Sequence, residues 1–103
     1  MSDIYRATTQ GKFAKDFGFR DQICRSAVSI PSNIAEGKER ETVAEFVRFL
    51  YIAKGSAGEL RTQLFISRNI GYLTEDDFRK LTERVERISG MIGNLIKALR
   101  QKR

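Results

Sequence analysis

Catalysis or metal binding needs side chains that can ligate an ion, move a proton or attack an electrophile, and this sequence holds few of them. It has no histidine and one cysteine, Cys24. Histidine-dependent acid-base chemistry and zinc or copper sites therefore lose their usual donors. A lone cysteine forms no intramolecular disulfide, and Cys24 reads as a small half-buried apolar side chain in a chain of the reducing cytoplasm. Glu36 and Glu59 are the carboxylates worth weighing as an acid-base pair, but no motif sets them across a cleft. As metal ligands they would need the Glu-x-x-His partners of carboxylate bundles, which a histidine-free chain cannot supply. Ser29, Ser32 and Ser56 stand in no nucleophile motif and read as helix-surface hydroxyls. The expectation is no enzyme, no cofactor and no metal.

What remains is polar and basic. Arg25, Ser29, Ser32, Asn33 and Glu36 share one side of a helix. Ser56, Glu59 and Gln63 share a side of the next, interspersed with Phe49, Ile52 and Ile66, a mixture that predicts an interhelix or intersubunit hydrogen-bond network. Lys80, Arg84 and Arg87 form a basic line at helical spacing, continued by Lys97, Arg100, Lys102 and Arg103. The net charge is +6, of which residues 1–52 carry +1 and residues 53–103 carry +5. Ion pairs with Glu83 and Glu86 account for part of the line at a few tenths of a kcal/mol each, and helix-end cations also complement the dipole. The excess marks these residues as candidates for contact with an anionic partner, RNA or DNA, through phosphates.

These groups must be carried by helices. The chain of 103 residues suffices for one domain, 1–103, with 41% hydrophobic residues and one proline, Pro31. Phe46, Leu50, Ala53, Ala57, Leu60 and Leu64 predict a helix over 42–70, begun by a Thr42–Glu45 capping box and stopped at Gly71. The stripe keeps phase across Gly55 and Gly58, so these glycines read as points of close backbone approach rather than a phosphate loop. Phe78, Leu81, Val85, Ile88, Ile92, Leu95 and Leu99 predict a second helix over 75–101, capped by Thr74 and Asp77, with Gly90 and Gly93 on its flank. Residues 19–36 carry two adjoining apolar stripes, Ile23, Ala27, Ile30, Ile34 and Cys24, Val28, Pro31, Ala35, with a kink or break expected at Pro31 and a stop at Gly37. Thr8 to Asp16 reads as a loop around Gly11, and Ser2 to Ala7 as a helical stub. The longest apolar run, Phe49 to Ala53, is far short of a membrane span.

Two strings, RSAVSIPSNIAEG from Arg25 to Gly37 and GSAGELRTQL from Gly55 to Leu64, resemble the proteins of the 23S rRNA intervening-sequence family. The resemblance runs from about Phe17 to Leu99. It implies an antiparallel four-helix bundle that associates as a ring-like homopentamer. It also puts Arg25, Ser29, Ser32, Asn33, Glu36, Gly37, Gly55, Ser56, Glu59, Thr62 and Gln63 in the family's motifs and interfaces. Members carry a longer first helix than Ile4, Tyr5 and Ala7 supply, so either the bundle has three long helices and a stub, or a neighbour covers an exposed apolar face. The expected architecture is an all-α up-and-down bundle that forms homo-oligomers. A basic pentamer would carry about +30, and weak phosphate contacts would add across its copies.

Overall fold

The structure, a computed structural model, describes residues 2–101, with the side chain of Ser2 excepted. Five helices follow in order: α1 (Ser2–Thr8), α2 (Gly11–Lys15), α3 (Phe17–Lys38), α4 (Val43–Asn69) and α5 (Glu75–Gln101). No strand occurs among the described residues.

The long helices run antiparallel. Ser26 meets Glu59 while Ser29 meets Ser56, so α4 descends as α3 rises. Phe65 meets Phe78 while Tyr51 meets Arg100, which reverses direction again at α5. α4 is central and packs on both α3 and α5, whose backbones do not approach each other. At one end α1 packs against both outer helices and α2 against α3.

Local chemistry explains the boundaries. The Thr42 hydroxyl accepts a 3.1 Å hydrogen bond from the Glu45 amide at the start of α4. The Glu45 carboxylate sits 3.2 Å from that hydroxyl, so half of the expected capping box forms. Asn69 is the last residue of α4, and Gly71 at φ +81° turns the chain while the Tyr72 amide bonds Ser67 O at 2.8 Å. The Asp77 amide donates to the Thr74 hydroxyl at 3.1 Å as α5 begins. The Ile23, Ala27, Ile30 and Ile34 stripe of α3 and the stripes of α4 and α5 line the core, except that Leu95 is 37% exposed and Ile96 is buried in its place. The second stripe expected on α3 is not covered: Val28, Pro31 and Ala35 are exposed, because α3 packs on α4 and α5 does not reach it.

Several expectations are corrected. Residues 8–16 are not simply a loop: α2 forms because Phe13, fully buried, stacks on Phe19 at 5.7 Å and meets Tyr72 at 5.2 Å. α3 runs unbroken through Pro31, which is exposed. Gly37 is no left-handed stop, since among the described glycines only Gly11 and Gly71 have positive φ. It is the close approach instead: a Cβ there would lie 2.8 Å from Phe46 Cδ1 and 2.9 Å from Phe49 Cβ. At Gly55, Gly58 and Gly90 a Cβ would meet nothing within 4 Å, and Gly93 faces Lys54 Cε rather than another glycine.

Candidate nucleic-acid interface and polar seam

The α3–α4 seam is held by short polar side chains at helical spacing. Ser26 donates to Glu59 Oε1 at 2.6 Å, and the Ser29 and Ser56 hydroxyls hydrogen-bond each other at 2.8 Å. Asn33 donates to Ser29 O and Ser29 Oγ at 2.8 and 2.9 Å, so three residues satisfy one another across two helices. Ser26, 3% exposed, was not among the polar residues singled out, because its spacing also fits the apolar stripe.

Other motif residues lie apart from this network. Glu36 pairs with Arg40 at 2.6 Å on the surface, far along α3 from Ser26 and Glu59, so the two carboxylates share no cleft. Arg25 and Ser32 are exposed, and the Thr62 hydroxyl bonds back to Gly58 O within its own helix at 3.2 Å. Gln63 is 5% exposed and its Oε1 has no partner. Gly55 faces solvent between Ile52 and Ile66, themselves 42% and 41% exposed.

The basic residues separate into two sets on α5. Lys80 pairs with Asp76 at 3.1 Å and Arg84 pairs with Asp3 of α1, so these cations sit on the side of α5 that meets α1. Arg87 follows Arg84 at helical spacing and makes no ion pair among the described residues. The Lys80 ammonium, by hydrogen bond and charge, holds the Asp76 carboxyl below its ordinary range. Lys97 and Arg100 do not continue this line. They border a cleft with Tyr51 on the α4 side, where Arg100 Nη1 donates to Tyr51 Oη at 3.0 Å. Lys102 and Arg103 lie outside the described residues.

One pattern lies outside the apolar stripes that the sequence reading counted. On α4, Tyr51, Lys54, Gly58, Arg61, Phe65 and Arg68 recur at steps of three and four, and Tyr51 and Phe65 are each 49% exposed. The same 3.6-residue count that found the apolar stripe finds this one once cations and aromatics are counted together. No three of His, Cys, Asp and Glu cluster to hold a metal among the described residues, and no described helix is long and apolar enough to cross a membrane.

The family model for 23S rRNA-intervening sequence proteins matches residues 1–94. A crystal structure of a protein with unknown function from the S23 ribosomal protein family of Bacteroides thetaiotaomicron is similar, with a TM-score of 0.84 and 26% identity over 93% of this chain and 87% of that one. No curated protein matches the chain.

Proposed function

The chain belongs to the 23S rRNA-intervening sequence protein family, and from that premise we propose a non-catalytic, self-associating helical bundle that contacts RNA backbone through its basic surface. The carrying observation is the uncompensated charge of the C-terminal half. Among the described residues Lys54, Arg61, Arg87, Lys97 and Arg100 make no ion pair. Cations left without carboxylates release counterions when they meet phosphates, which is the source of sequence-independent affinity.

Self-association is supported by surface area. A compact monomer of 11.8 kDa exposes about 5,900 Å², whereas this chain exposes 6675 Å² and leaves Val28, Met91 and Leu95 of the outer helices 57%, 64% and 37% exposed. Those residues also favour a second reading, a scaffold whose partner is another protein and whose charge serves solubility.

Fluorescence anisotropy with a labelled RNA separates the two. RNA contact gives an affinity that falls steeply from low to moderate ionic strength. No binding at low salt leaves the scaffold reading. Native mass measurement checks assembly, with a pentamer expected near five times 11.8 kDa.

A further inference from the structure

The seam between α4 and α5 carries a feature that charge alone does not require. Phe65 and Phe78 meet edge to face at 6.4 Å, and with Arg61, Thr62 and Thr82 they line an open cleft of about 400 Å³. No carboxylate lines it. Thr82 Oγ1 is buried and has no hydrogen-bond partner. Arg68 lies over both rings, 4.9 Å from Phe65 and 4.4 Å from Phe78, and reaches Glu75 at 3.5 Å. Further along the same seam, Tyr51, Lys97 and Arg100 border a second cleft of about 330 Å³. Lys54 and Gly58 lie between the two, and Gly58 leaves the middle of the strip flat. Glu86, four residues after Thr82, is the acid that helical register brings to this face of α5.

Resting on the RNA reading above, we propose that the α4–α5 seam is a track for single-stranded RNA, with Phe65 and Tyr51 as stacking platforms for bases and Arg61, Lys54 and Lys97 as phosphate contacts. Half-exposed aromatic rings beside unpaired cations are what unpaired bases need, because a base offers a π-face and its phosphate a charge. A duplex hides its bases and presents only phosphates. The two platforms are 14 residues apart on α4, about 21 Å, the length of about six stacked nucleotides at 3.4 Å each.

The test uses the full chain and a fluorescein-labelled oligouridylate of about twelve nucleotides, within the range of single-strand site sizes. A backbone strand lacking bases and a duplex of equal length serve as comparisons. The proposal expects Phe65→Leu to weaken oligouridylate binding about tenfold, the worth of one stacked base, while Phe65→Tyr keeps it. Arg61→Gln should lower the salt slope by about one, and the base-free strand should bind wild type more weakly than oligouridylate binds Phe65→Leu, because it forgoes the stack on Tyr51 as well. Should Phe65→Leu fail to fold by circular dichroism, the base-free strand on wild type decides. Equal affinity for strands with and without bases overturns the track and leaves backbone contact standing, as does binding unmoved by Phe65→Leu and Tyr51→Leu. A Phe65→Leu variant that changes oligomer mass instead assigns the face to a second copy and overturns it too. No binding of any RNA at low salt sinks both readings.

Discussion

The Tyr72 hydroxyl donates a 2.7 Å hydrogen bond to Asp16 Oδ2, joining residues 56 positions apart. The other oxygen of the same carboxylate accepts the Phe19 amide at 3.2 Å, so one acid caps α3 and anchors the α4–α5 turn. Asp16→Ala removes both contacts. The lost cap alone costs about 1 kcal/mol, and thermal unfolding should show a drop of at least that size.

The bond to Asp16, with burial and the carboxylate charge behind it, raises the Tyr72 phenol above its ordinary 10.0. The folded chain therefore holds this proton more tightly than the unfolded chain does. Its contribution to stability is whole below pH 10.0 and is lost as pH rises through the folded value. Denaturant titrations should show wild type losing stability in that alkaline window and Tyr72→Phe lacking the step. Parallel curves for the two proteins would contradict it.

Gly37→Ala should destabilise by about 1–3 kcal/mol through overpacking. The Phe46 ring can shift, but Phe49 Cβ, 2.9 Å from the new methyl, is tied to its backbone. Gly55→Ala, with nothing within 4 Å, should instead gain up to about 1 kcal/mol of helix propensity. Melting temperatures moving in opposite directions check the pair.

Ser29→Ala and Ser56→Ala should couple. Removing either leaves its partner half-satisfied across the seam at 2.8 Å, and a double-mutant cycle should return about 0.5–1.5 kcal/mol. A coupling near zero would mean that the seam is held by its apolar neighbours alone.

Changing Lys97, Arg100, Lys102 and Arg103 together to glutamine should weaken RNA binding and leave oligomer mass unaltered. Changing Lys80 and Arg84 should matter less, because Asp76 and Asp3 already engage them. Equal losses in anisotropy from the two sets would argue for a diffuse electrostatic surface.

The long helices were legible because their signals are local. Thr42, Thr74 and Gly71 act within one turn of themselves, and apolar residues at steps of three and four need only the geometry of a helix. The polar seam was half legible: Ser29, Asn33 and Ser56 fall on the polar sides of their helices, whereas Ser26 sits on a stripe that equally suits alanine. α2 was missed because five residues around Gly11 have no helical period of their own, and Phe13 folds there only when Phe19 and Tyr72 are already in place.

Composition, caps and periodicity by themselves determined an all-α chain, the extents of α4 and α5, and the absence of histidine chemistry, since each depends on residues a few positions apart. Only the tertiary structure decided which glycine is crowded, whether Leu95 or Ile96 is buried, and which cations are already paired. Those outcomes turn on what a neighbouring helix places opposite each side chain, and that distance is not written in the spacing along one strand of sequence.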